Sequence, residues 1–179
     1  MRLLLSGTFN ALYDMPAMLG LFRAVSARCP AHLRLARSVR SPWDGAVQAE
    51  GGSIADVAFA DMPAEVQSSH AGLSVCRRDL PGAVIGAMPT KIAEFLASGR
   101  PVVVSRGLGD MDRLAAEYRC AVVVDDASES GLAVAATALL DLVADPNTPT
   151  RCRRAAEDHF SLEVGIDRLL EVYGSVSPP

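Results

Sequence analysis

Thr90, Lys91 and Glu94, in the segment MPTKIAEF (88–95), are residues that could hold a phosphate and the ribose next to it. Lys91 is the one lysine of the chain; the rest of its seventeen Lys and Arg residues are arginine. The spacing of Ile92, Phe95 and Leu96 predicts a helix starting here, with Pro89 as its first residue. Proline has no N–H to leave unpaired and its φ suits that place. The N–H groups of Thr90 and Lys91 then lack intrahelical partners and sit at the positive end of the helix dipole. A lysine is locally unfavourable there, but an anion would draw two N–H groups, the helix end and the ammonium together, and the Thr90 hydroxyl would join them. At 100° per residue, Thr90, Lys91, Glu94 and Ser98 share an arc of roughly 100°, with Ile92, Ala93, Phe95 and Leu96 opposite. Glu94 lies about 6 Å along the axis from Thr90. A carboxylate at that distance from a phosphate could accept from both ribose hydroxyls, the span of a nucleoside diphosphate laid along a helix. An ordinary solvated face, with Lys91 and Glu94 as an i,i+3 pair contributing ~0.3 kcal/mol, fits the same spacing.

The rest of the chain alternates short strands with helices. Strands are predicted at 2–6, 31–37, 55–60, 71–76, 101–105 and 121–125. Helices are predicted after the first strand, with Pro16 in the first turn, and at 62–70, 89–98, 110–118, 130–145, 148–160 and 162–174. Residues 38–54, rich in Ser, Gly and Pro, read as a long variable loop with Trp43 as a local anchor, and 77–87 as another loop. The tail, 175–179, is expected to be disordered. Val-rich strands alternating with helices imply β-α-β units. The expected fold is α/β: a single Rossmann-like domain over 1–174, doubly wound, with a mostly parallel sheet and helices on both faces. Ligands on such sheets bind at the carboxyl ends of the strands.

The bulk numbers set bounds. With 179 residues, half of them hydrophobic, one well-packed domain is expected. A net charge of −4 argues against nucleic acid as a partner. Cys29, Cys76, Cys120 and Cys152 form no C-x-x-C pair or Cys/His cluster, so reduced cysteines and no bound metal are expected. No apolar run reaches the ~18 residues of a membrane span, which points to a cytoplasmic protein. His32, His70 and His159 fall at positions better suited to structural than catalytic roles, and His70 precedes a strand rather than following it.

Residues 89–105, PTKIAEFLASGRPVVVS, resemble the PTK-x-x-E-[FY]-L-A-x-G-x-PVV segment of GT-B glycosyltransferases of group 1, the family 4-like enzymes, in their C-terminal donor-binding domain. The resemblance extends in the family's order through SGTFNALYD (6–14), VQSSHAGLSVCRRD (66–79), GLGDMDRLAAEYRCAVVVD (107–125) and AAEDHFSLEVGIDRLLEVYGSV (155–176). It implies a hexosyltransferase-like activity in which a sugar passes from a nucleotide, UDP or GDP in type, to an acceptor, often without a metal and with no further cofactor. Glu94 matches the carboxylate that holds the donor's ribose. Pro89, Thr90 and Lys91 match the helix start that meets the diphosphate. Gly7 and Thr8 match the loop that approaches the donor phosphates, where a missing Cβ permits closeness.

The departures from that pattern are specific. Gly86 stands where the family carries a second glutamate, eight residues before the ribose carboxylate, that addresses the donor sugar. The loop GTFNALYD lacks the Arg and Lys that many members place near the phosphates; Arg77, Arg78 and Arg106 are candidates to supply that charge. The chain has room for only one of the two Rossmann-like domains of a GT-B enzyme, so an N-terminal acceptor-binding domain or partner chain is implied and no catalytic residue is assigned. The final helix, which in the family crosses back toward the N-terminal domain, supports this. Exposed apolar surface near Gly7 and the 62–70 helix would mark the same contact. Peripheral membrane association, common where acceptors are lipid-linked, stays open. Two further classes stay open beside it: a stand-alone nucleotide-binding module without catalysis, and an unrelated α/β interaction domain.

Overall fold

A computed structural model describes residues 1–176. Six strands form one sheet: β1 (Arg2–Ser6), β2 (His32–Arg37), β3 (Ser53–Asp56), β4 (Ala71–Ser74), β5 (Val102–Ser105) and β6 (Ala121–Val124). All pairings are parallel and the order is β3-β2-β1-β4-β5-β6. The chain thus winds outward from β1 to β3, returns to lay β4 beside β1, and winds out the other way. The reversal between β1 and β4 is a topological switch point, where a crevice opens at the carboxyl ends of the strands.

Burial explains why the strands read as apolar runs. Leu3, Leu4 and Leu5 of β1 and Val102, Val103 and Val104 of β5 are all fully buried, because helices cover both faces. Helix α1 (Met15–Ser26) packs on α7 (Glu129–Ala144) over one face. On the other, α5 (Thr90–Ala97) packs on α8 (Thr148–Phe160), beside α3 (Met62–Gln67) and α6 (Met111–Tyr118). The Asp14 carboxylate caps α1 by accepting from the Ala17 N–H at 3.0 Å, and Pro16 occupies its first turn.

Two segments differ from the sequence expectation. The loop expected over 38–54 contains a short helix, α2 (Asp44–Ala49), and the start of β3. Only Val47 of α2 is fully buried, so six residues carry no helical period; the helix is held instead by Arg37, whose guanidinium pairs in a fork with Asp44 (2.9 and 2.7 Å) and also meets Asp56. Accordingly β3 begins and ends earlier than 55–60, and Phe59–Asp61 form a 3-10 turn into α3. The loop expected over 77–87 likewise contains α4 (Pro81–Ile85). At the chain's end α9 (Leu162–Val176) takes in two residues of the expected tail, and 177–179 lie outside the described residues.

One close contact seats α5 on the sheet. A Cβ at Gly72, in the middle of β4, would lie 2.4 Å from the Phe95 ring, so the ring rests directly on the strand's backbone. This brings the helix down onto the sheet and aims its first turn at the β1–β4 crevice. Gly72→Val is expected to lift the ring and cost about 2–3 kcal/mol, an overpacking effect. A urea titration showing an unchanged midpoint would mean that α5 is not seated through this ring.

Candidate functional site

The crevice is closed on one side by the chain leaving β1. Gly7 has φ +82, a left-handed backbone that favours glycine. A Cβ there would stand an ordinary 3.9 Å from the Lys91 Nζ, so backbone conformation rather than close approach calls for this glycine. Residues 8–14 then cross the switch point and are laced to the segment after β4. The Asp14 N–H donates to the Val75 carbonyl at 2.9 Å, the Arg77 N–H to the Leu12 carbonyl at 2.8 Å, and Tyr13 forms an isolated bridge with Cys76. The Cys76 N–H donates in turn to the Ser105 Oγ at 3.1 Å. The segments following β1, β4 and β5 are one connected rim.

Helix α5 points its first turn into this rim. Pro89 is extended (ψ 127) and occupies the cap position, so the helix starts at Thr90, one residue later than expected from sequence. It brings no side chain to cap the helix, whereas α1 and α7 are capped by Asp14 and Ser128. The Ile92 N–H turns back to the Pro89 carbonyl at 2.9 Å. The amides of Thr90 and Lys91, in the first turn, have no partner within the helix.

A cavity of about 250 Å³ gathers these groups. Ser6, Gly7 and Thr8 line it from the end of β1, Ser38 from beyond β2, and Val57, Phe59 and Met62 from beyond β3. Thr90, Lys91 and Glu94 line it from α5. The structure thus brings together five of the residues singled out from sequence: Gly7, Thr8, Thr90, Lys91 and Glu94. Pro89 stands behind them as the helix cap.

Lys91 differs from expectation in its surroundings. It is only 8% exposed, while Thr90 and Glu94 face outward. In helical projection it sits at the edge of their arc, next to Phe95, and the 8–14 loop folds over that edge. Its Nζ has no hydrogen-bond partner. It lies instead 4.1 Å from the centroid of the Phe9 ring and 4.2 Å from that of Tyr13, two rings packed edge to face at 4.9 Å. Burial lowers its pKa from 10.5 to about 8, against the opposing influence of Cys76 and Glu94. Burial also pushes the Tyr13 phenol up to about 12, with Cys76 adding to the shift, and raises the Cys76 thiol. Phe9 and Tyr13 are absent from the site read from sequence, although two aromatics four residues apart in a chain with 5% aromatics were a usable signal.

The three candidate arginines are placed elsewhere on the rim. Arg77 is paired with Asp79, Arg78 donates to the Asp125 carbonyl, and Arg106 is paired with Asp125 and, at 3.3 Å, with Asp112. Hydrogen bonding to Asp125 raises the Arg106 pKa and lowers that of its partner. None of the three lines the cavity. The histidines are all engaged: His70 accepts the Arg2 N–H through Nδ1 at 3.0 Å at the opposite edge of the sheet, His32 meets Ser53 and His159 meets Tyr118. Among the described residues, no three His, Cys, Asp or Glu side chains are gathered as metal ligands would be, and no helix is long and apolar enough to cross a membrane. A larger groove of about 800 Å³ runs between α1 and α7 from Asp14 to Arg28, but Lys91 and the other candidate site residues singled out from sequence do not line it.

No protein-family model matches the chain, and no curated protein matches it in sequence. Its fold does have counterparts among solved structures. AviGT4, a glycosyltransferase involved in avilamycin A biosynthesis, superposes with a TM-score of 0.68 at 20% identity, over 97% of this chain and 49% of its own. Sucrose-phosphate synthase from Thermosynechococcus elongatus gives 0.64 at 16% identity, over 98% of this chain and 46% of its own. A TarM variant from S. aureus, in complex with fondaparinux, alpha-GlcNAc-glycerol and UDP, gives 0.69 at 10% identity, over 96% of this chain and 35% of its own. The chain therefore spans about half or less of the length of each of these proteins. What they share with it is the fold: the Rossmann-like α/β layer that makes up one half of a GT-B glycosyltransferase.

An unpaired buried ammonium should destabilise the fold below its own pKa. Between about pH 8 and pH 10.5 the unfolded chain holds a proton on Lys91 that the folded chain has released, so stability should rise with pH across that window. Lys91→Met, which fits between aromatic rings, is expected to stabilise the protein by about 1–3 kcal/mol at neutral pH. The gain should fade above about pH 10.5. Thermal melts at several pH values check this; a lower melting temperature for the variant at neutral pH would contradict it.

Proposed function

We propose that this chain is the donor-binding half of a GT-B-type glycosyltransferase, the C-terminal of its two domains, and that it holds the diphosphate and ribose of a nucleotide sugar at the β1–β4 crevice. The observation that carries the reading is the gathering of Gly7, Thr8, Thr90, Lys91 and Glu94 around one cavity at the carboxyl ends of the strands. Phosphate oxygens would meet the Thr90 and Lys91 amides, the Thr90 hydroxyl and the helix end. Glu94, one turn deeper, would accept from the ribose hydroxyls. In transfer, the bond between the sugar's anomeric carbon and the diphosphate oxygen breaks, while an acceptor oxygen or nitrogen bonds to that carbon. The charge that grows on the departing diphosphate is what the helix end and Lys91 are placed to stabilise. UDP is among the ligands of the TarM variant, a structural neighbour, and a UDP- or GDP-type donor is the proposed substrate class.

The acceptor site and any proton-transfer group would belong to a second domain, in the same polypeptide or a partner chain. Two apolar surfaces support that part of the reading. Phe59 is 89% exposed at the mouth of the cavity, with Val39 and Ile85 exposed on the same rim beyond β2 and β4. In α9 no residue is buried, and Leu162, Ile166, Leu169, Leu170, Tyr173 and Val176 form a stripe along one side. Exposed apolar area of this kind marks a protein contact.

Calorimetric titration with UDP, GDP and ADP tests the reading. Diphosphates should bind better than the corresponding nucleosides, and Glu94→Ala should cost about 1–3 kcal/mol, as for a hydrogen bond to a charged group. Absence of binding at millimolar nucleotide, with Glu94→Ala and Lys91→Ala both silent, would overturn it. Binding without transfer in the isolated chain is the expected result if the acceptor half lies elsewhere.

A further inference from the structure

The 8–14 loop has no basic residue, yet it covers the cation of the site, and it does so with two rings. Phe9 is 2% exposed and Tyr13 is nearly as buried. Their centroids stand at almost equal distances from the Lys91 Nζ, and among the described residues no carboxylate hydrogen-bonds to it. A ring face attracts a cation through its quadrupole but does not neutralise its charge, as a carboxylate would. The rings are fixed independently of the lysine: their loop is pinned by the Asp14–Val75 and Arg77–Leu12 backbone bonds and by the Tyr13–Cys76 bridge.

Resting on the anion site proposed above, we infer that Phe9 and Tyr13 are positioning residues, a two-ring clamp that holds the Lys91 ammonium unpaired beside the cavity so that an entering phosphate meets a cation already in place. The Nζ itself is closed off from solvent, so its charge acts on the cavity through the wall beside the Gly7 backbone, where a Cβ would stand 3.9 Å from it. The ionisable groups beside the ammonium include Tyr13, whose ring it touches, and the two that act on its charge, the Cys76 thiol and the outward-facing Glu94 carboxylate; burial raises the pKa of both the phenol and the thiol, which favours their neutral forms. An incoming anion therefore has no bound carboxylate to displace.

Because the chain has a single lysine, labelling with ¹³C-lysine gives one ε-CH₂ signal that reports this clamp directly. In the ligand-free protein that signal should lie upfield of an ordinary lysine, owing to the ring currents. Phe9→Leu and Tyr13→Leu should each remove part of the shift, whereas Tyr13→Phe, which keeps the ring, should retain it. With inorganic pyrophosphate as the probe, titration should move the signal in the wild type and in Tyr13→Phe. Each leucine variant should bind pyrophosphate about 5- to 30-fold more weakly. The variants are compared at equal thermal stability, adjusted by temperature, so that loss of fold does not mimic loss of the clamp. An ordinary ε-CH₂ shift in the wild type, a signal unmoved by pyrophosphate, or equal affinity in the leucine variants would overturn the inference. Pyrophosphate binding without any nucleotide binding would instead sink the donor reading and leave the clamp standing.

Discussion

The ammonium of Lys91, enclosed by Phe9 and Tyr13 and lacking any hydrogen-bond partner, is the interaction on which the site depends. Taking an unpaired charge out of water costs several kcal/mol. Two ring faces offset about 2 kcal/mol of this when desolvated. The adjoining helix end adds a small cost of its own, because like charge meets like. Burial also outweighs the opposing influence of Cys76 and Glu94, and the pKa of Lys91 falls accordingly. On the proposed reading, an arrangement that is unfavourable alone would be relieved by an entering anion, the usual trade between stability and a preformed binding site.

That arrangement requires the scaffold to hold three separate pieces of chain in register. Gly72 lets Phe95 seat α5 on the sheet, which fixes the helix tip. The left-handed Gly7 turns the chain out of β1, and backbone bonds to Leu12 and Val75 lace it across the switch point. The bond from Cys76 to Ser105 then ties β5 to the same rim. All of these contacts join elements far apart in sequence, so the site exists only when the parallel sheet is complete.

This distance in sequence decides what could be read beforehand. The strands and longer helices were legible because Leu3–Leu5 and Val102–Val104 are continuous apolar runs and α5 carries a clear buried stripe. Helices α2 and α4 were not, since each buries too little to imprint a period and α2 is held by the Arg37–Asp44 fork. The convergence of Gly7 and Thr8 with Thr90, Lys91 and Glu94 was anticipated through a motif and its order along the chain. The burial of Lys91 was not, because a helical projection shows which residues share a face but not which loop will fold over it. The arginines proposed from sequence failed to reach the cavity for a related reason: Arg77 and Arg106 are held by the carboxylates of Asp79, Asp112 and Asp125, and Arg78 by the Asp125 carbonyl.

The contrast between those arginines and the single lysine has a geometric cause. A guanidinium is a planar fork that matches a carboxylate in two places, and the rim arginines have found such partners, as Arg77 does with Asp79 and Arg106 with Asp125. An ammonium is a compact point charge on a flexible stem, which fits against two rings set edge to face at 4.9 Å. Arginine in the same slot would bring a wider, flat group with more donors to satisfy, in a place that offers aromatic faces and no acceptor. In a chain that uses arginine everywhere else, the aromatic enclosure at position 91 is a sufficient physical reason for the exception.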